Sequence, residues 1–442
     1  MSSPTSLESC RAARIFPSGR VTGSIRPPGS KSLTNRALVC AALASGTSRL
    51  SGVLASEDTL VMVNAWKGLG LQIQGDIDSG ALDVFGCAGN LHAAQSTVFV
   101  ANSGTTIRFL TAALAACRGE FTLNGIERMH QRPIGDLLRA LRQLGANVNS
   151  VNPTNPECPP VRIEAAGLTG GAARVAGSIS SQYLSGLMMA CPLAKGDVRL
   201  EVDGELVSVP YVEMTRRVME SFGAQVSGKP TGPIVISSAY KYRATSYEIE
   251  PDASAASYFW AAAAITGGSV TVQGLGRDSL QGDVRFCEVL QRMGCQVTYA
   301  PNSITVNGQA TNGIEVNMSD ISDTVQSLAA VALFARGTTK ITGVAHNRHK
   351  ETDRIADLAT ELRKFGANVI EFHDGLAIEP PHAVRAAEIE TYNDHRMAMS
   401  LALVGLRIPD IVISNPHCTA KTYPGYWRDL ARLAACEIRP LP

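Results

Sequence analysis

Apolar and polar positions along this chain follow a short pattern that recurs about every 74 residues. In each copy an apolar residue is followed by glycine, one variable residue, Asn or Gln, and then Val or Ile. Five clear copies and a degenerate sixth begin at Leu69, Leu144, Phe222, Met293, Phe365 and Leu433. Six such units tile the 442 residues, which indicates an architecture built from repeats.

The residues around each copy predict a helix followed by a strand. In the fifth copy, apolar residues at i, i+3, i+7 and i+10 from Ile355 fall on one helical face. Gly366 supplies the left-handed position that ends such a helix, and the β-branched pair that begins at Val369 starts a strand. Repetition of this alternation predicts an α/β fold.

The length of the chain favours two domains, because single hydrophobic cores stop growing at roughly 250 to 300 residues. The copies diverge outside the helix–glycine–strand junction, so closed domains of three units each are expected rather than a solenoid. Halving the six units places the boundary near residue 248, after the polar segment 240–247.

Charge and cysteine content exclude several classes of partner. The 40 Lys and Arg residues balance 39 Asp and Glu residues, so no basic field would gather nucleic acid. The ten cysteines show no CxxC pair and no metal-ligand spacing, which favours a reducing cytoplasm and no metal. Residues 1–10 lack a signal-peptide pattern, and no segment approaches the ~20 apolar residues of a membrane span.

Small-residue turns at predicted helix starts are the candidate anion sites of the first half. Lys31 and the possible helix cap Ser32 precede an apolar helix, and Arg36 lies one turn further on. The glycine–lysine spacing of a P-loop is absent there. Taken alone, each of these motifs fits ordinary helix capping or a solvated surface equally well. The further candidates of this kind are Gly104, Arg132, Ser180, Ser181, Gln182, Ser208 and Tyr211.

The second half carries its charges in front of a predicted helix. Residues 347–354 include five charged side chains in eight, and the helix dipole disfavours Lys350 and Arg354 there unless an anion binds. Asp323 and Glu351 add carboxylates. Two polyanionic substrates in a cleft would need this many bases. The cations of both halves are Lys31, Arg36, Arg132, Lys350, Arg354, Arg396 and Lys421.

The ordered motifs 28–32, 350–354, 392–399 and 418–421 resemble the 5-enolpyruvylshikimate-3-phosphate (EPSP) synthase family across essentially the whole chain. The resemblance implies a two-domain inside-out barrel in which each domain has three βαβαββ-type repeats around a pseudo-threefold axis. It implies one domain at 30–248, a second from 1–29 plus 249–442, and an active site in the interdomain cleft. It implies no metal or organic cofactor. A monomer is expected, because motion of the two domains about the cleft needs no partner.

The family transfers the enolpyruvyl group of phosphoenolpyruvate to the 5-hydroxyl of shikimate 3-phosphate. The resemblance assigns shikimate 3-phosphate binding to Lys31, Ser32, Arg36, Ser180, Ser181, Gln182, Ser208, Tyr211, Asp323, Asn347 and Lys350. It assigns phosphoenolpyruvate binding to Lys31, Gly104, Arg132, Gln182, Arg354, Arg396 and Lys421.

The catalytic roles implied by the resemblance are carried by three residues. Asp323 is expected to act as base on the hydroxyl, and Glu351 as proton donor to the methylene carbon and then as acceptor. Lys31 is expected to assist the hydroxyl and the departing phosphate. Phe109, Ser103 and the pair His130–Gln131 depart from the commonest family pattern beside the phosphoenolpyruvate pocket, where glyphosate would compete.

Three rival interpretations are disfavoured. The related transferase that acts on UDP-N-acetylglucosamine usually carries a reactive cysteine five residues before the arginine that matches Arg132, and Glu127 stands there. An RNA-binding relative should show a basic stripe with aromatic stacking residues, but aromatics are only 5% of the chain. A binding protein without activity would be expected to have lost Asp323, Glu351 or Lys31.

Overall fold

The computed structural model describes residues 10–91, 95–177 and 180–441. The chain divides into two compact units. We call Gly29–Glu250 the central unit, and the described residues up to Pro28 together with those from Pro251 the terminal unit. Residues 1–9, on which most of the signal-peptide argument rests, lie outside the described residues.

The elements are numbered along the chain. The terminal unit begins with β1 (Ala12–Ile15) and β2 (Thr22–Ile25). The helices of the central unit are α1 (Lys31–Leu43), α2 (Glu57–Gly68), α3 (Gly104–Ala115), α4 (Gly135–Gln143), α5 (Ser181–Ala190) and α6 (Val209–Ser221). Its strands are β3 (Ser45–Ser51), β4 (Ile73–Gln74), β5 (Ala81–Cys87), β6 (Gln95–Phe99), β7 (Arg118–Asn124), β8 (Asn147–Ser150), β9 (Val161–Ala166), β10 (Gly171–Ala176), β11 (Val198–Asp203), β12 (Val226–Gly228), β13 (Ile234–Ile236) and β14 (Ser246–Glu248).

The remainder of the terminal unit repeats this alternation. Its helices are α7 (Ala253–Thr266), α8 (Phe286–Arg292), α9 (Val325–Ala332), α10 (Ala356–Lys364), α11 (His395–Ala402) and α12 (Tyr426–Ala434). Its strands are β15 (Ser269–Gln273), β16 (Gln296–Ala300), β17 (Ser303–Asn307), β18 (Glu315–Asn317), β19 (Thr339–Thr342), β20 (Asn368–Phe372), β21 (Gly375–Glu379), β22 (Glu388–Ile389), β23 (Ile411–Ser414) and β24 (Ile438–Leu441).

The described strands form six four-stranded sheets, three in each unit. Every sheet has the same plan, in which one edge strand is parallel to its neighbour and the other two pairings are antiparallel. This plan includes the sheets that contain β3, β7 and β23. One sheet for each sequence repeat confirms the α/β fold of six units predicted from the sequence.

The parallel edge strand of two sheets comes from a distant part of the chain. β2, which directly precedes α1, pairs with β15 in the terminal unit. β14, which directly precedes α7, pairs with β3 in the central unit. Each unit is therefore completed by a strand that the sequence places next to the other unit, and the chain passes between the units twice.

Six of the described helices are buried along nearly their whole length, and they form the centres of the units. These inner helices are α1, α3 and α5 in the central unit, and α7, α9 and α11 in the terminal unit. Small side chains allow them to pack closely, as in the run of fully buried alanines 261–264 of α7. Ser257, Ser327 and Ser400, one from each inner helix of the terminal unit, meet with Oγ–Oγ distances of 2.8 and 3.4 Å.

The glycines of the five clear sequence copies all adopt left-handed backbone conformations, with φ between 85° and 112°. This confirms the predicted helix endings. In the degenerate sixth copy the left-handed position at the end of α12 is taken by Ala435, with φ of 48°.

Replacement of Gly366 by alanine should destabilise the protein by about 1 to 2 kcal/mol, because an L-residue is strained at its φ of 92°. The matched control is Gly68→Ala at the exposed end of α2, where an added Cβ meets no atom within 4 Å. Helix propensity predicts no loss for the control and a gain of up to about 1 kcal/mol. Urea denaturation measures both, and equal losses would contradict the assigned role of the left-handed glycine.

Candidate active site

The start of α1 presents two of the predicted residues. Ser30 caps the helix, since its Oγ accepts a hydrogen bond from the backbone N–H of Leu33. The prediction that Ser32 is the cap was wrong, because the extended backbone ends at Ser30 and the helix begins at Lys31. The side chains of Lys31 and Ser32 are partly exposed in the first turn, where unpaired N–H groups favour an anion.

Arg36 is buried inside the central unit and surrounded by protein acceptors. Its Nε donates to Thr215 Oγ1 at 2.7 Å, and Nη2 donates to Ser185 Oγ at 3.3 Å. Its guanidinium lies over the ring of Phe109, 5.2 Å from the centroid. Burial lowers the pKa of Arg36 to about 10. Phe109, identified as a departure from the family pattern, thus packs against a predicted substrate-binding residue.

The side-chain amide of Gln182 is held in one orientation. Its Oε1 accepts from Arg108 Nη1 at 2.7 Å, and its Nε2 donates to Thr105 Oγ1 at 3.1 Å. Arg108 also donates to the carbonyl of Pro133 and lies over the ring of Tyr183. These bonds join the first turns of α3 and α5, so Gln182 is positioned before any ligand binds.

Gly104 and Arg132 lie against one another. A Cβ atom on Gly104 would be 2.3 Å from Arg132 Nη2, so only glycine leaves the guanidinium in its place. Arg132 Nη1 donates to the carbonyl oxygen of Asn102 at 3.0 Å, which fixes the guanidinium at the start of α3. Gly104 and the guanidinium of Arg132 therefore lie together at the start of α3.

The remaining residues of the central set lie at the starts of α5 and α6. Ser180 caps α5, with its Oγ accepting from the N–H of Gln182 at 3.3 Å, and Ser181 is the first residue of the helix. Ser208 precedes α6 in a left-handed conformation with φ of 55°. The carbonyl of Tyr211 accepts from Arg36, which ties the start of α6 to α1.

In the terminal unit, Arg354 is bonded to three carboxylates. Its Nε donates to Asp394 Oδ2 at 2.7 Å, Nη1 to Asp323 Oδ1 at 3.2 Å, and Nη2 to Glu351 Oε2 at 2.9 Å. The residue is only 2% exposed. Burial opposes its charge, but Asp394, Glu351 and Asp323 raise the pKa of Arg354 above its ordinary value.

Two more cations complete this cluster. Arg396 Nη2 donates to Asp323 Oδ2 at 2.7 Å, and Lys421 Nζ donates to Glu351 Oε1 at 2.9 Å. Arg396 Nη1 is also 3.3 Å from the hydroxyl of Tyr258. The cluster consists of Asp323, Glu351, Asp394, Arg354, Arg396 and Lys421, three carboxylates with three cations, and we call it the charge cluster.

Asn347 lies within the short 3-10 helix Ala345–His349, and Lys350 directly follows that helix, before α10. Asn347 is fully buried, and its Nδ2 donates to the carbonyl of Ser322, the neighbour of Asp323. His346 contacts the Oγ of Ser322 at 3.0 Å. Burial, and then the charge of Lys350, lowers the pKa of His346 to about 3, so this imidazole is neutral at physiological pH.

Asp283 is a buried carboxyl group beside the charge cluster that the sequence gave no reason to select. It is 2% exposed and accepts a short hydrogen bond from Ser254 Oγ, at the start of α7. Burial, and then repulsion from Asp323, raises the pKa of Asp283 from 3.8 to about 7, against the opposing effects of the hydrogen bond from Ser254 and of the charge of Arg396. Near neutral pH it therefore holds a proton for much of the time.

Comparison with known proteins identifies the class and then the family. The structure matches the enolpyruvyl transferase NikO from Streptomyces tendae with a TM-score of 0.78, covering 97% of this chain and 98% of that one at 19% identity, which establishes the fold. It matches EPSP synthase from Acinetobacter baumannii with a TM-score of 0.82, covering 97% of this chain and 99% of that one at 27% identity.

Sequence comparison gives the family. The profile of EPSP synthase (3-phosphoshikimate 1-carboxyvinyltransferase) matches residues 15–430. The chloroplastic 3-phosphoshikimate 1-carboxyvinyltransferase of Arabidopsis thaliana is 45% identical, over 98% of this chain and 86% of that protein. The enzyme of that name from Shewanella halifaxensis is 44% identical, over 95% of this chain and 99% of that protein. The chain belongs to the EPSP synthase family.

Sequence reasoning missed four residues that contact or adjoin the predicted site. Asp394 lies inside the motif 392–399, and Arg108 lies between Gly104 and Phe109, but the burial and partners of these two residues could not be read from the sequence. Tyr258 and Asp283 lie in segments that carry no motif. A buried arginine needs anionic acceptors. Had the burial of Arg354 been assumed, a search for its carboxylate partners would have pointed to Asp394.

Replacement of Asp283 by asparagine should change how stability depends on pH. Because the folded-state pKa is raised to about 7 from 3.8, the wild type binds more protons folded than unfolded and loses stability as pH rises through this interval. Asparagine removes this loss. Relative to the variant, the wild type should lose roughly 2 to 4 kcal/mol between pH 4 and pH 7.5, at about 1.4 kcal/mol per pKa unit.

Urea denaturation at several pH values measures this difference. Asp410→Asn, at a carboxylate whose side chain is 68% exposed, controls for the general effect of removing an acid. A difference between wild type and Asp283→Asn that does not vary with pH would contradict the prediction.

Proposed function

We propose that this chain transfers the carboxyvinyl (enolpyruvyl) group of phosphoenolpyruvate to the 5-hydroxyl of shikimate 3-phosphate and releases inorganic phosphate, in the shikimate pathway to chorismate and the aromatic amino acids. Relatives that are 44 to 45% identical over nearly the whole chain bear the name of this activity. The geometric observation that carries the proposal is the charge cluster, in which Asp323 and Glu351 are each bonded to cations suited to an anionic substrate.

Phosphoenolpyruvate presents a carboxylate and a phosphate, which arginines bind bidentately and lysines bind as point charges. In the terminal unit, Arg354, Arg396 and Lys421 supply such donors. In the central unit, Gln182 supplies an oriented amide, and Gly104 leaves the Arg132 guanidinium room beside the backbone. We assign phosphoenolpyruvate to Lys31, Gly104, Arg132, Gln182, Arg354, Arg396 and Lys421.

Shikimate 3-phosphate combines a phosphate with hydroxyls and a carboxylate. The helix starts at Ser32, Ser181 and Ser208 offer hydroxyls together with backbone N–H groups, a combination that suits a polyol phosphate. Arg36 would have to exchange one of its protein acceptors for a substrate oxygen. We assign this substrate to Lys31, Ser32, Arg36, Ser180, Ser181, Gln182, Ser208, Tyr211, Asp323, Asn347 and Lys350.

The reaction is an addition followed by an elimination. The 5-hydroxyl oxygen bonds to C2 of phosphoenolpyruvate while its proton passes to Asp323, and Glu351 protonates C3. The tetrahedral intermediate then returns a C3 proton to Glu351 and expels phosphate, with Lys31 assisting the hydroxyl and the leaving group. Both carboxylates are ion-paired, so substrate anions would have to take over their cations.

We further propose that the protein acts as a monomer in the cytoplasm and needs no cofactor, with glyphosate as a possible inhibitor that would compete with phosphoenolpyruvate. Support for the cytoplasm comes from the ten cysteines, all of which are free thiols. Among the described residues, no helix is both long and apolar enough to cross a bilayer. Within the same ranges, no cluster of three or more His, Cys, Asp and Glu residues has the arrangement of a metal site.

Phosphate release from phosphoenolpyruvate tests the proposed reaction. We expect release with shikimate 3-phosphate, and none with UDP-N-acetylglucosamine or with neither acceptor. Release only with the nucleotide sugar would keep the reaction class but overturn the acceptor site at Ser180–Gln182. Absence of release with both acceptors would overturn the enzymatic function.

Replacement of Glu351 by glutamine should lower kcat at least ~100-fold, since proton transfer to and from C3 would lose its carboxylate. Binding of shikimate 3-phosphate, measured by calorimetry, should stay within about threefold of wild type because no phosphate donor is removed. Glu315→Gln on β18, where the side chain is 67% exposed, is the matched control and should leave kcat unchanged. Near-normal turnover of Glu351→Gln would remove this residue from the mechanism.

A further inference from the structure

The two residues before Asp394 have an unusual backbone. Tyr392 and Asn393 both adopt left-handed conformations, with φ of 52° and 55°. We call residues 392–393 the left-handed turn. Asparagine tolerates this region, but a tyrosine is strained there and keeps the conformation only where the surrounding structure holds it. The turn directly precedes α11, whose second residue is Arg396, so the strain lies beside the charge cluster.

The left-handed turn determines where the carboxylate of Asp394 lies. The N–H of Asp394 donates to the carbonyl of Thr391 at 2.8 Å, across the turn. Its carboxylate accepts from the backbone N–H of Arg396 at 2.9 Å, which caps α11. The same carboxylate accepts from Nε and Nη2 of Arg354 at 2.7 and 3.2 Å. One carboxylate can serve both partners only if the chain enters α11 in the direction that this turn gives it.

A buried carboxylate of α10 anchors the turn. Glu361 is fully buried, and its Oε1 accepts a hydrogen bond from the hydroxyl of Tyr392 at 2.8 Å. Its Oε2 accepts from the N–H of Glu390 at 3.0 Å and lies 2.7 Å from Lys364 Nζ. A buried carboxylate needs such partners. Glu361 therefore holds the chain at two points directly before α11.

The second residue of the turn has a weaker restraint. Asn415 Nδ2 donates to Asn393 Oδ1 at 3.3 Å, in an exposed position. Asn415 directly precedes the 3-10 helix Pro416–Lys421, so this contact joins the turn to the segment that carries Lys421. A hydrogen bond in a buried, low-dielectric position is stronger than one exposed to water. The bond between Tyr392 and Glu361 is therefore the main side-chain restraint on the turn.

The helix α10 joins the anchor to the charge cluster. Arg354 lies two residues before α10 begins, and Glu361 lies within it. The segment before α11 is thus joined to α10 at two places, by Asp394 to Arg354 and by Tyr392 to Glu361. Two attachments prevent rotation about either one. Without the second, Arg354 and Asp394 could turn together away from their present orientation.

We propose that Tyr392, anchored by Glu361, is a positioning residue for the phosphoenolpyruvate site. Its hydroxyl holds the left-handed turn, the turn sets the carboxylate of Asp394, and that carboxylate orients Arg354. The inference rests on the proposed function for the identity of the ligand, because phosphoenolpyruvate is assigned to Arg354 there. The orientation of Arg354 itself is a property of the protein and is open to a test without substrate.

Hydrogen exchange at arginine side chains provides that test. In ¹⁵N-arginine-labelled protein, the Nε–H signals of Arg354 and Arg36 are identified by their loss in the corresponding lysine variants. In Tyr392→Phe we expect the Arg354 Nε–H to exchange at least ~10-fold faster, because its bond to Asp394 opens more often. The Arg36 Nε–H, bonded to Thr215 Oγ1 at 2.7 Å in the central unit, is the internal control and should not change.

Two outcomes of the exchange experiment would overturn the proposal. Unchanged exchange of Arg354 in folded Tyr392→Phe would show that the hydroxyl does not hold the cluster. Equal acceleration at Arg354 and Arg36 would show a general loss of stability instead of a positioning role. Circular dichroism and thermal melting establish that the variant is folded.

Steady-state kinetics test the consequence for the reaction. In Tyr392→Phe, KM for phosphoenolpyruvate should rise about tenfold, while kcat and KM for shikimate 3-phosphate stay within about threefold. Most residues assigned to shikimate 3-phosphate lie in the central unit. Tyr242→Phe removes another hydrogen-bonded hydroxyl, 3.0 Å from the carbonyl of Met189, and should leave both KM values unchanged. An unchanged KM for phosphoenolpyruvate in Tyr392→Phe would overturn the positioning role.

Absence of phosphate release by the wild type has a different meaning. It would overturn the proposed transferase function, and the exchange experiment would still decide whether Tyr392 positions Arg354. The two failures are therefore distinguishable.

Comparison of Tyr392→Ala with Tyr392→Gly separates the backbone from the side chain. Both changes remove the ring and its hydroxyl, but only glycine adopts a φ of 52° without strain. The Arg354 Nε–H should exchange at least ~3-fold more slowly in the glycine variant than in the alanine variant. Equal exchange rates in the two folded variants would overturn the role of the left-handed turn.

Discussion

The pairing of Arg354 with three carboxylates is the interaction on which the site of the terminal unit depends. Transfer of an unpaired guanidinium into a protein interior costs several kcal/mol, so a residue that is 2% exposed must have compensating anions. Asp394 takes two of its N–H groups and also caps α11, while Asp323 and Glu351 each take one. Three segments far apart in the sequence, at residues 323, 351–354 and 394, are thereby fixed to one another.

Under the proposed function, this pairing couples substrate binding to the activation of the acid and base. Arg354 and Arg396 hold Asp323, while Arg354 and Lys421 hold Glu351. The donors that hold these carboxylates are therefore the same groups that an anionic substrate would bind. A bound carboxylate and phosphate would compete for the same donors. Asp323 and Glu351 would then be released from these cations once the substrate that exchanges protons with them is bound.

Local features of the sequence predicted the fold well because they depend on few residues. A left-handed glycine after an amphipathic helix acts within one turn, and the five predicted glycines all adopt that conformation. The pairings of β2 with β15 and of β14 with β3 join segments that are far apart in the sequence, and no local pattern encodes them. The sequence also misplaced the cap of α1, since Ser30 and Ser32 are equally good capping residues and only the backbone decides between them.

The candidate site was predicted less completely for a related reason. Residue type showed where cations and carboxylates occur, but not which of them are buried together. Arg36 was expected to face a substrate, yet its donors are directed at Thr215, Ser185 and backbone carbonyls. Asp283 resembles any surface acid in the sequence, and only its distance from solvent and its nearness to Asp323 give it unusual protonation behaviour.

The inner helices explain why so many candidate residues occur at helix starts. A helix buried on all sides carries mainly small or apolar residues along its length, so most of its polar side chains lie in its first two turns. The N-terminal end offers unpaired N–H groups and a positive dipole, which attract anions without any net charge on the protein. A chain of net charge +1 can in this way hold polyanionic substrates. The residues at or directly before these starts are Lys31, Ser32, Gly104, Ser180, Ser181, Gln182, Ser254, Asp323, Asp394 and Arg396.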